Sequence, residues 1–312
     1  MASSASATQT QSPRDRAYVA NRDSDTVSVI NTRTNQLITT INVGDAPQGV
    51  AVDVSRARAY VANGGAPSSV SVINTLTNQV DLTITGVGSG ANAIALDPGR
   101  NRAYTTDSNV DTVSVINTST DQVIGTLNAG DGPTAIEVNP ARARAYVGNF
   151  GSDDVTVIDT STDALVTTIT GAGDGPAGVA EDRRRARLYV TNLNNDSVSV
   201  IDTNTNQVLP LSINVGDGPQ GVAVDQRRSR AVVANIGDDN VSVFSTRTNQ
   251  AIGTFGVGNG PQFVALEQRR PRAYVTNFSD STVSVINTAD GTLYATISLS
   301  GSNGPFGIAV VG

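Results

Sequence analysis

The sequence predicts an all-β fold, a seven-bladed β-propeller, and three observations carry that prediction. First, a stretch of about twenty residues recurs: AYVANRDSDTVSVINTRTNQ from Ala17, AYVGNFGSDDVTVIDTSTDA from Ala145, and AYVTNFSDSTVSVINTADGT from Ala273. Second, the aligned positions Tyr18, Tyr60, Tyr104, Tyr146, Tyr189, Val232 and Tyr274 are spaced by 42 to 44 residues, which makes seven copies. Third, Gly, Pro, Asn and Asp divide each copy into four short β runs, and no linker is long enough for a crossover helix. Neighbouring runs therefore pair antiparallel as a meander.

The copy that begins at Pro47 serves as the pattern, with strands A (PQGVAVD), B (RAYVAN), C (SVSVINT) and D (QVDLTI). Strand A is apolar on both faces, as GVAV, AIAL and IAVV illustrate. That suits an innermost strand beside a central channel, in a blade packed between two neighbours. In strand B the Tyr is expected in the inter-blade core. The Asn that follows (Asn21, Asn63, Asn149, Asn192, Asn235 and Asn277, with Asp107 in the third copy) is expected to hydrogen-bond the B–C turn. A single four-stranded sheet cannot bury both faces, whereas copies stacked around an axis can. The chain starts in mid-copy with SPRDRAYVAN and ends with PFGIAVVG, a strand A without its B. The C-terminal strand A from Pro305 should therefore pair with N-terminal strand B at residues 17–21 and close the ring, leaving no open edge. Residues 1–11, MASSASATQTQ, are small and polar and lack the pattern of a signal peptide; they read as a disordered leader or the remnant of a trimmed sequence. Residues 12–312 read as one domain.

RAYVTN and RLYVTN, each followed by VSVINT or VSVIDT, resemble the YVTN-type β-propeller repeat. The resemblance covers residues 12 to 312. It implies a bacterial or archaeal surface or exported protein, in an extracellular or periplasmic setting. That family brings no fixed catalytic set, so no catalytic residue is carried over from it.

Composition narrows the chemistry. The 312 residues include no Cys, His, Trp or Lys, and all 21 basic residues are Arg. Disulfides, thiolate metal sites, His-ligated metals and Ser-His-Asp catalysis are excluded. Any catalysis would fall to Asp, Glu, Tyr, Ser, Thr or Arg. No cofactor is expected. A metal site would need oxygen ligands, which makes calcium the candidate ion, but the Asp-rich loops GSDDV and GDDNV lack the full calcium-loop pattern. No run of 18 apolar residues occurs, so no transmembrane helix is expected.

Charge divides between the two faces of the ring. D–A and B–C loops share one face, here called upper; A–B and C–D turns share the other. Eighteen of the 21 Arg fall in A–B turns, densest at Arg183, Arg184 and Arg185, while Arg22 alone is on the upper face with 14 acids. The net charge of −7 thus conceals a two-faced molecule. The lower ring could hold an anionic polymer, with Arg183, Arg184 and Arg185 as the anionic-surface residues; equally, these Arg could pair with Asp53, Asp97, Asp182 and Asp225. Nucleic acid is disfavoured, because the turns lack interleaved aromatics.

Function is sought where the copies differ. Glu137 and Glu181 replace small apolar residues in strand A of two adjacent copies. They are the only candidate catalytic pair: if they meet, one pKa rises and an acid and a base result. Otherwise each pairs with Arg or water. After the repeat Asn stand Arg22, Phe150, Leu193, Ile236 and Phe278, and strand A carries Phe263 and Phe306 where other copies have Gly or Ala. These residues could form an apolar arc at the upper mouth, or tuck locally under the loops. Gln48, Asn92, Thr134, Gln220 and Gln262 follow the Pro or its equivalent and are expected around the channel mouth. The leading reading is a non-enzymatic binding or scaffold propeller, expected as a monomer, that takes a small molecule, glycan or protein at its upper face or funnel. The alternative is a cofactor-free cyclase, lyase or lactonase acting on a small natural product near Glu137 and Glu181. A purely structural repeat is the third.

Overall fold

In a computed structural model that describes residues 15–311, the chain forms seven four-stranded antiparallel sheets arranged as a ring. The residues read as a leader, 1–11, lie outside that range. Strands are numbered β1 to β28 in chain order, and blades 1 to 7 from the N-terminus. Blade 2 is consecutive: β4 (Pro47–Asp53), β5 (Arg58–Asn63), β6 (Ser69–Asn74) and β7 (Gln79–Thr85), the A to D pattern. Blade 1 is composite, in the order β28 (Pro305–Val311), β1 (Arg16–Asn21), β2 (Thr26–Asn31), β3 (Gln36–Asn42). β28 pairs with β1 from Arg16↔Val311 to Asn21↔Pro305, and this closes the ring.

Burial follows the alternation of side chains along each strand. Strands B and C are buried on both faces, whereas strand D alternates outward, as in Gln36–Asn42. The apolar core consists of separate clusters, each spanning the gap between two blades: Tyr18, Val27 and Val29 of blade 1 meet Ala59, Val61 and Ile73 of blade 2. The six repeat Tyr side chains are fully buried. Burying a side chain of this size stabilises by roughly 1.5–3 kcal/mol, so the Tyr position is a main source of blade cohesion. In blade 6 Val232 takes this place, and Phe244 stacks on Tyr189 from blade 5 with ring centroids 5.2 Å apart.

Polar repeat residues position the loops. Asn63 Nδ2 donates to Ser69 Oγ and Ser71 Oγ (both 3.0 Å), and Ser71 Oγ accepts from the Gly44 backbone N–H in the D–A loop. The same relay recurs from Asn21, Asn192, Asn235 and Asn277 to strand C. In blade 3 Asp107 takes over and accepts from Thr112 (3.0 Å) and Ser114 (2.7 Å). At the lower face the Asn of INT starts an Asx turn; Asn31 Oδ1 accepts the Arg33 and Thr34 N–H groups. The Thr after it presents its carbonyl to the preceding blade. Thr246 O accepts from Tyr189, Thr203 O from Arg142, and Thr32 O from Tyr274, Arg270 and Arg272. Such latches join neighbouring blades around the ring except blades 2 and 3, where Arg58 pairs with Asp121 instead, and the last of them crosses the closure.

Candidate functional site

The seven A strands line the channel, which opens, narrows and opens again. The upper funnel has a volume of about 530 Å³ and the lower cavity about 550 Å³; the narrow waist between them is about 140 Å³. Arg22, Gln48, Asn92, Gln220, Gln262, Phe278 and Phe306 border the upper funnel, together with Ala46, Gly64, Gly90, Ser108 and Asn109. Backbone atoms and small apolar side chains dominate the waist, to which Phe263 and Phe306 contribute. Thr134 instead donates to the Pro176 carbonyl of the next blade, 3.1 Å away.

Three Phe side chains make an aromatic cluster at one side of the funnel. Phe263 and Phe306 are 5.0 Å apart between centroids, and Phe278 meets Phe306 edge-on at 6.5 Å. The Arg22 guanidinium lies 5.9 Å from the Phe306 ring centroid, a cation–π distance, and has no acidic partner among the described residues. The four carboxamides Gln48, Asn92, Gln220 and Gln262 make no side-chain hydrogen bond to protein. Gln262 is only 6% exposed, so its amide faces the funnel from a nearly buried position. Unpaired polar groups beside an apolar wall can recognise a ligand that offers both characters.

The arc expected from the residues after the repeat Asn is split. Phe278 borders the funnel, but Phe150, Leu193 and Ile236 lie outside its lining. The Phe150 ring packs over Gly175, where a Cβ would come within 3.0 Å of Cε2, and Ile236 covers Gly218. Both glycines have φ in the left-handed region, at +67° and +62°. These apolar side chains act on the neighbouring loops. The sequence reading did not single out Ser108 and Asn109; their signal was position alone, at the tip of a B–C loop.

Glu137 and Glu181 both border the lower cavity, but only Glu137 exposes its side chain. Glu137 pairs in register with Tyr146 and its side chain keeps 30% accessibility on the lower cavity, where Arg183 Nη2 lies 3.0 Å from Oε1. Its position deep in the ring raises its pKa through desolvation, opposed by Arg183. Glu181 pairs in register with Leu188 and has a fully buried side chain. Asn139 Nδ2 donates to Oε2 at 2.7 Å and Thr203 Oγ1 to Oε1 at 3.0 Å. Arg183 Nε approaches Oε2 at 3.9 Å, so one guanidinium stands between the two carboxylates.

Most lower-face Arg are engaged. Arg56, Arg100, Arg185 and Arg228 pair with Asp53, Asp97, Asp182 and Asp225 at 2.7–2.8 Å. Of the three residues singled out for an anionic surface, Arg183 and Arg185 are thus committed, and the Arg184 side chain is exposed without an ion pair. On the upper face, Asp25, Asp111, Asp153, Asp196 and Asp239 each accept a D–A loop N–H at 2.8–3.0 Å. These acids serve as loop caps, and no group of three potential ligand residues converges on a point among the described residues. No helix of the described residues is long and apolar enough to cross a membrane.

Comparison with known proteins places the fold. A chain of hydrazine synthase from Kuenenia stuttgartiensis is similar at TM-score 0.79 and 19% identity, over 93% of this chain and 99% of that one. A functionally unknown protein from Desulfotomaculum acetoxidans DSM 771 is similar at TM-score 0.82 and 15% identity, over 95% and 98%. Likeness at these identities is a likeness of fold. No family model matches the sequence, and no curated protein matches it.

Proposed function

We propose that this chain is a non-enzymatic binding propeller of the YVTN-repeat kind that holds a small molecule in its upper funnel, in an exported or surface setting. The observation that carries the reading is the Gln262 amide, which has no protein partner and faces a funnel walled by Phe278 and Phe306 from an otherwise buried residue. An amide that meets the funnel with no protein partner is free to hydrogen-bond a ligand oxygen or hydroxyl. Arg22, free of acids beside Phe306, suits an anionic group on the same ligand. The favoured class is therefore a small aromatic or apolar carboxylate. An enzyme acting through Glu137 and Glu181 has less support, because Glu181 is sealed and Glu137 is paired.

Calorimetric melting with millimolar benzoate and 4-hydroxybenzoate tests the reading, with a neutral sugar for comparison. The aromatic carboxylates should raise Tm in the wild type, and Gln262→Leu or Arg22→Ala should abolish the rise. No shift with any of them, or equal shifts in wild type and variants, would overturn the proposal.

A further inference from the structure

Three consecutive A–B turns share a pattern absent from the others: Asp182-Arg183-Arg184-Arg185 in blade 5, Asp225-Gln226-Arg227-Arg228 in blade 6, and Glu267-Gln268-Arg269-Arg270 in blade 7. In each, the acid pairs with the Arg three residues on, at 2.7, 2.8 and 3.4 Å. The Arg just before that partner is left over. Arg184, Arg227 and Arg269 are exposed, and none of them makes a side-chain hydrogen bond or ion pair among the described residues. In blades 2, 3 and 4 the same position holds Ser55, Gly99 and Ala141. The free cations therefore form an arc over three neighbouring blades, and the nearest carboxylates cannot neutralise it because each is already matched.

The turns that carry the arc in blades 6 and 7 also place Gln226 and Gln268 in the lining of the lower cavity, of about 550 Å³. We infer that this arc binds an extended anionic glycan, a polyuronate or similar chain laid across blades 5 to 7. Guanidinium groups free of protein partners suit carboxylates carried along a chain, and the two carboxamides suit its hydroxyl groups. A polynucleotide fits less well, because base stacking needs aromatic side chains. The exposed aromatic residues are Phe150, on an upper loop, and Tyr294, covered by Arg272 on the outer strand of blade 7.

Fluorescence anisotropy of a labelled oligogalacturonate tests this. The wild type should bind at low ionic strength and release the chain as salt rises. The triple variant Arg184→Ser, Arg227→Ser, Arg269→Ser should bind about tenfold or more weakly. The variant Arg33→Ser, Arg247→Ser removes exposed charge from the outer C–D turns and should bind like the wild type. No binding at low salt, an equal loss in both variants, or tighter binding of a single-stranded oligonucleotide of matched charge would each overturn the inference.

Discussion

Asp107 is a residue at which the repeat departs from itself at an energetic cost. Six copies place a neutral Asn in this fully buried site; here a carboxylate faces two hydroxyls and no cation. Desolvation pushes its pKa up to about 6, against the stabilising bonds from Ser114 and Thr112. A carboxyl whose folded pKa lies above its unfolded value of 3.8 leaves the fold most stable below pH 3.8, and that stability is lost as pH rises through about 6. The loss amounts to roughly 3 kcal/mol. Asp107→Asn should therefore match the wild type near pH 4 and exceed it by up to that amount at pH 7, measured by denaturant unfolding at both pH values. Equal stabilities at pH 7 would contradict this. The Asn role was legible in the sequence as a B–C turn contact, and aligning the copies exposed Asp107 as the exception. The facing of Glu137 and Glu181 was not legible: the offset in strand A left both orientations open, and the outcome depends on the reach of Asn139 and Thr203.

At the scale of the strand, the latch between blades explains why Arg and Tyr recur together at the start of strand B. The Tyr189 hydroxyl donates to Thr246 O at 3.2 Å and to Asn249 Oδ1 at 3.0 Å, whereas the equally buried Tyr60 hydroxyl has no partner in hydrogen-bond geometry. Tyr189→Phe should lower stability by about 1 kcal/mol, while Tyr60→Phe should leave it within about 0.5 kcal/mol or raise it. Chemical denaturation of the two variants separates the cases, and equal losses would show that the hydroxyls do not act through these bonds. Strand order and the inward placement of strand A could be read from periodicity and turn residues alone. The upper funnel was half legible: Gln48, Asn92, Gln220 and Gln262 stand out at one position of strand A. Phe150 was assigned with Phe278, although only Phe278 lines the funnel. Both rings cross to the next blade, and one-dimensional spacing does not tell which of them ends at the channel.

For the whole ring, closure rests on β28. Removing residues 305–312 would strip the inner strand from blade 1, expose the β1 edge and open the gap between blades 7 and 2. The truncated chain should melt at markedly lower temperature and associate through the open edge, as read by calorimetry and light scattering. An unchanged Tm in a monomeric truncation would refute this account of closure. Seven in-register copies and the displaced terminal strand made the architecture readable from the sequence. The distribution of free and matched Arg was not, because D-x-R-R turns do not reveal which guanidinium their acid will take. The same closure has a mechanical side. Arg16 lies opposite Val311, so the two ends of the described chain leave from adjacent strands at the same rim. A force pulling those ends apart would load the β1–β28 ladder one rung at a time, as in a zipper, and would not shear it along its whole length. Under tension the molecule would yield first at its own seam, while the six blades made of consecutive strands stayed folded behind it.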